Sequence, residues 1–266
     1  MPRAVVSGWA ACRLYGAAYA DGIDARTGRP VPVPLVLPPD DHSRPSAGVR
    51  LVRQPLAPTE VTRRHGIRVV TPGRAVVEAA RLAADPVEAV VAVEMAYAGG
   101  VALPEWAQAA ADCAPPRGLR QVRQALATAG VRSCSPPETR LRLVCLELGW
   151  RPLANVDVLD AGGRFLARPD LLDVERGIAI EYDGADHRSR ARHIRDNERL
   201  RLLRGVGIEV VTVVGGGVLR TADREQARAM LVAAESMGPP RLGSGRWTYA
   251  ERWTPAADLL RAAQTA

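Results

Sequence analysis

From Ser135 onward the residue pattern changes period in a fixed order, and that order restricts the fold more than any other feature of the chain. Helical spacing of apolar residues over 136–148 gives way to strand-like runs at 155–159, 165–174 and 177–183. A helix over 189–205, a strand over 208–214 and a helix over 222–234 follow. Ala161-Gly162-Gly163 and Glu175-Arg176-Gly177 lie between apolar runs as short hairpin connections. The resulting order, αβββαβα, is satisfied by a mixed sheet flanked by helices, so the expected class is α/β.

Proline pairs at 115–116 and 136–137 bracket a helix expected over 118–129. They divide the 266 residues into a smaller α+β domain at 1–115, a helical linker at 116–134, the α/β domain at 135–237 and a tail at 238–266. The first of these reads as a helix over 7–15, strands over 31–37 and 49–55, and a run at 67–70 leading into Pro72. Proline at the first position of a helix is favourable, and Ala75, Val76, Ala79, Ala80 and Leu82 continue the periodic stripe. A second helix is expected over 86–97, and no cluster in this half suggests catalysis. The tail opens as a Pro/Gly/Ser linker and carries Trp247, Tyr249 and Trp253.

Thirty-six basic against 29 acidic side chains leave a net charge of +7, which favours a polyanionic partner. Every one of the 36 is an arginine, so any mechanism that requires a lysine is excluded. Cys12, Cys113, Cys134 and Cys145 show neither CxxC pairing nor zinc-ligand spacing, and read as buried thiols of a cytoplasmic protein. No apolar run reaches eighteen residues, so no membrane span is expected. The small-residue stretch near the N-terminus faintly resembles an export signal, but Arg13 interrupts it and export is not expected.

The acidic residues carry the chemical signal. Ser135-Pro-Pro-Glu138 is a capping signature, with Ser135 as N-cap and Glu138 at N3. Helical spacing also sets Glu138 beside the stripe of Leu141 and Cys145 that must face the sheet, so capping and function are both open to it. Period-2 alternation puts Asp170 on the face shared by Arg168, Leu172 and Val174. In the next strand Ala179, Glu181 and Asp183 share one face, so two acids project together at the strand's end. Lone acids in strands are commonly edge charges, whereas acids gathered on adjacent elements raise one another's pKa unless a cation joins them. Oxygen ligands of this kind suit Mg²⁺ or Mn²⁺. His187, at the entrance of the next helix, reads equally as a proton carrier or as a turn residue. Arg192, Arg195 and Arg199 on that helix form either a solvated face or a rail for phosphates.

Pro137-Glu138-Thr139, Arg168-Pro169-Asp170-Leu171, Ile180-Glu181-Tyr182-Asp183-Gly184, His187 and Asp196-x-x-Arg199 together resemble the domain of unknown function 559 group, related to the Vsr-like endonucleases of the PD-(D/E)XK superfamily. The resemblance covers about 135–214 and implies a restriction-endonuclease-like αβββαβ core. It further implies that Asp170 and Glu181 bind a divalent metal, Mg²⁺ or Mn²⁺, with Glu138 supporting from the first helix. Asp183 stands where the superfamily has its lysine. The implied activity is metal-dependent hydrolysis of DNA phosphodiesters in defence or repair, with the water oriented by Asp183 or His187 and phosphate charge met by Arg195 or Arg199. Through SGWAACRLYG and HGIRVVTPGRAVVEAARLA the first half resembles the C-terminal part of AbiEi-type antitoxins of type IV toxin-antitoxin systems. That likeness implies the alternative, a non-catalytic DNA-binding regulator, and a toxin or a second copy as partner of the first half.

Overall fold

The computed structural model describes residues 3–115, 117–184, 190–236 and 246–251. Contacts divide the chain into two compact units, with the division between Val131 and Arg132.

The first unit contains β1 (Val5–Val6), α1 (Gly8–Tyr15), β2 (Val33–Leu37), β3 (Val49–Arg53), β4 (Val61–Arg64), β5 (Ile67–Val70), α2 (Pro72–Leu82), α3 (Pro86–Ala98), α4 (Pro104–Asp112) and α5 (Leu119–Thr128). Its sheet runs β3-β2-β1-β5-β4. Proline opens α2, α3 and α4, where its missing N–H costs no intrahelical bond. The Asp85 side chain caps α3 by accepting the Glu88 N–H at 3.0 Å. The helix expected in a linker is α5, and it belongs to this unit instead. Leu119, Val122 and Ala125 form its buried stripe, packed toward α2 and α3. Helices α2 and α4 approach so closely at Gly73 that an added Cβ would overlap the Trp106 carbonyl. A buried ionic group ties α2 to the loops: Arg74 pairs with Glu78 at 2.9 Å and Glu60 at 2.8 Å, and Gln54 Nε2 donates to Glu78 at 2.9 Å. These paired charges hold α2 in place, and no reactive arrangement arises from them.

The second unit contains α6 (Pro136–Glu147), β6 (Leu153–Ala154), β7 (Asp157–Asp160), β8 (Phe165–Ala167), β9 (Leu171–Asp173), β10 (Ile178–Asp183), α7 (Arg190–Gly205), β11 (Glu209–Val214), α8 (Thr221–Ser236) and β12 (Trp247–Ala250). One sheet runs β11-β10-β9-β6 and another β12-β7-β8. The parallel β10 and β11 pair needs a crossover, which α7 supplies, whereas β9 and β10 are an antiparallel hairpin. Ile178, Ile180, Leu171, Val211 and Val213 face α6 and α8. Ala179, Leu172 and Val210 face Leu203 of α7 together with Val158, Leu166 and Trp247. The architecture is therefore mixed α/β, with helices on both faces of the four-stranded sheet.

One expectation needs correction, and one element was not expected. The run 165–174 is two strands in different sheets, broken at Arg168-Pro169-Asp170, because Pro169 has no N–H to give a ladder. The tail contributes β12, whose Trp247 to Ala250 pair antiparallel with Asp160 to Asp157.

Candidate active site

The antiparallel register of β9 and β10 brings Asp170 and Glu181 to the same end of the sheet. Leu172 and Ala179 are register partners facing α7; Glu181 lies two residues beyond Ala179 on the same face of β10, and Asp170 directly precedes β9 beside it. The backbone N–H of Tyr182 donates to Asp170 Oδ2 at 2.7 Å, which fixes the carboxyl against the outer end of β10. Burial and the nearby charge of Glu138 push the Asp170 carboxyl up to about 6, against the opposing pull of the Tyr182 N–H and of Arg199.

Glu181 is buried, and its Oε2 accepts from Arg199 Nη2 at 2.8 Å. Arg199 rises from α7 and so stands between the helix and this acidic corner. Asp183 ends β10 opposite Val214 and is half-buried. On the other face the Tyr182 hydroxyl donates to the Gly215 carbonyl at 3.0 Å, tethering the strand end.

Glu138 holds the start of α6. Ser135 Oγ donates to its Oε1 at 2.8 Å, while Cys134 N–H at 2.9 Å and Asn155 Nδ2 at 3.0 Å donate to its Oε2. The capping arrangement expected from Ser135 and Glu138 is thus present, enlarged by Asn155. Both carboxylate oxygens accept hydrogen bonds there, and the charge of Glu138 adds to the rise in the Asp170 pKa.

His187 lies outside the described residues. The side chains of Arg192 and Arg195 do as well, although their backbone forms part of α7. Among the described residues no three His, Cys, Asp or Glu side chains come close enough together to hold a metal. The donor set that suits a small divalent cation is the pair Asp170 and Glu181: hard oxygens, partly withdrawn from water, one of them carrying a raised pKa that a cation would relieve.

Sequence reasoning missed three contributors. Asn155 adopts a left-handed backbone with φ 52° and binds the Asp170 carbonyl through its N–H at 3.0 Å, linking both acids through one turn. An asparagine at a strand entrance is the one available signal, since that residue tolerates this conformation. Buried Asp157 accepts from Arg168 Nε at 2.7 Å and thereby fixes the orientation of the guanidinium. Cys134 borders the acids, and its thiol is pushed up to about 11 by burial, with Glu138 and Asp170 adding to the effect.

No family model, curated protein or solved structure matches this chain.

Proposed function

We propose that the second unit is a restriction-endonuclease-like core and that it hydrolyses DNA phosphodiesters with a divalent cation held by Asp170 and Glu181. The observation that carries this reading is the placement of these two acids at the same end of adjacent strands, with the Tyr182 N–H, one residue beyond Glu181, fixing the Asp170 carboxyl at 2.7 Å. When bound, Mg²⁺ or Mn²⁺ supplies Lewis acidity toward a phosphoryl oxygen. Tyr182 orients Asp170, and Asn155 and Glu138 hold its loop from the side of α6. Arg199, which pairs with Glu181, would be the guanidinium placed to meet the charge that develops on the phosphate; a guanidinium does this with two parallel donors where a lysine would offer one point charge. Asp183, next along the same strand face, orients the attacking water.

A non-catalytic regulator of the AbiEi type is favoured by one observation, the ion pair between Glu181 Oε2 and Arg199, which offsets the charge of one of the two acids without any metal. Cleavage of plasmid DNA separates the two. Hydrolase activity should appear with Mg²⁺, vanish in chelator and fall by at least two orders of magnitude in Asp170→Asn while DNA binding persists. Binding that is indifferent to metal, with no product from either protein, establishes the regulator.

A further inference from the structure

Strand β8 and helix α7 line a shallow, open cleft of about 360 Å³ that includes Arg199, the partner of Glu181. Leu166 and Leu202 line it apolarly, Arg168 and Arg199 supply positive charge, and Glu198 lies along the helix side. Phe165, the chain's only phenylalanine, stands at the cleft and is 50% exposed. Arg168 spends only its Nε on Asp157, so among the described residues its two Nη groups retain donors for a further acceptor.

We infer that this cleft seats an unpaired nucleotide of a DNA single strand, with its base stacked on Phe165 and its phosphate on Arg168. The inference rests on the reading above for the choice of DNA, and it adds the substrate form. A half-exposed aromatic ring next to a fixed guanidinium matches the two faces of one nucleotide, the flat apolar base and the anionic diester. A base inside a duplex keeps both faces stacked on its neighbours, so only an unpaired one can lie on this ring. Arg168 is held by a buried carboxylate and its orientation is set before ligand arrives, which lowers the ordering cost of binding. Glu198 disfavours a second phosphate on the helix side and accepts from an exocyclic amino group. The strand would then leave the cleft past Arg199 toward Asp170 and Glu181.

The test uses the full chain in chelator with a short single-stranded oligodeoxynucleotide carrying 2-aminopurine, the same sequence as duplex, and the same sequence as RNA. The single DNA strand is expected to bind most tightly and to quench the probe. Phe165→Ala should weaken that binding about 5- to 100-fold and abolish the quenching, and Phe165→Trp should restore both. Because the ring is half-exposed, Phe165→Ala should keep the wild-type melting temperature. Arg168→Gln should reduce the salt dependence of binding by about one ion. Unchanged affinity in Phe165→Ala, or equal or tighter binding of duplex or RNA, overturns the inference. Phe165-dependent binding without any Mg²⁺-dependent product sustains the cleft and removes the hydrolase, whereas cleavage indifferent to Phe165 does the reverse.

Discussion

At the level of single residues, Asp170 couples folding to pH in the direction opposite to most carboxylates. Its pKa is raised from an ordinary 3.8 to about 6, first by burial and then by Glu138. The folded chain therefore holds that proton more tightly than the unfolded chain. The stabilising contribution is complete below about pH 4 and is lost as pH rises through about 6. Asp170→Asn removes the ionisation and keeps an oxygen for the Tyr182 N–H. The variant should match the parent protein at pH 4 and exceed it by about 1 kcal/mol at pH 7, after discounting for solvent screening. Urea unfolding at the two pH values measures this, and parallel profiles would contradict it. The shared face of Glu181 and Asp183 was legible because alternation on a strand needs only the neighbours in sequence, whereas the alternation used to place Asp170 is interrupted at Pro169. Asn155 and Asp157 were not legible, since their importance comes from Glu138 and Arg168, partners 17 and 11 positions away.

Among elements, α6 depends on a cap that reaches beyond the usual reciprocal pair. Glu138 accepts from Ser135, from the Cys134 backbone and from Asn155, so it fastens the helix start to the turn that carries Asp170. Glu138→Ala leaves those donors without their acceptor and should cost about 1–3 kcal/mol in chemical denaturation, and Glu138→Gln should recover part of the loss. A variant as stable as the parent would show that the cap contributes nothing. Helix starts were readable here because proline and the capping residue act locally: Pro72, Pro86 and Pro136 each stand in a first turn. Strand partition was less so. The alternation from Phe165 to Val174 continues across Pro169 as though unbroken, and only the ladder reveals that β8 and β9 enter different sheets. Strand β12 depends on β7, roughly ninety positions earlier, a pairing that no local pattern encodes.

For the whole molecule, a net charge of +7 carried wholly by arginine couples affinity for polyanions to planar, directional recognition. Many of those guanidiniums are internal structural partners: Arg74 and Arg81 close on Glu78, Arg176 on Asp173 and Glu235, and Arg224 on Glu147. Composition alone therefore overstates the charge available to a ligand, and placement decides which arginines can serve one. Arg168 and Arg199 line the same cleft, the first paired with Asp157 and the second with Glu181. The division between Val131 and Arg132 followed the composition shift near the proline pairs, yet α5 joined the first unit because its apolar stripe has a partner there. The most direct measurement is a crystal of the full chain soaked with Mn²⁺. An anomalous peak between the Asp170 and Glu181 carboxylates, with Arg199 displaced from Glu181, is the predicted result. Full Mn²⁺ occupancy elsewhere, with the Arg199 to Glu181 contact intact, would contradict the account.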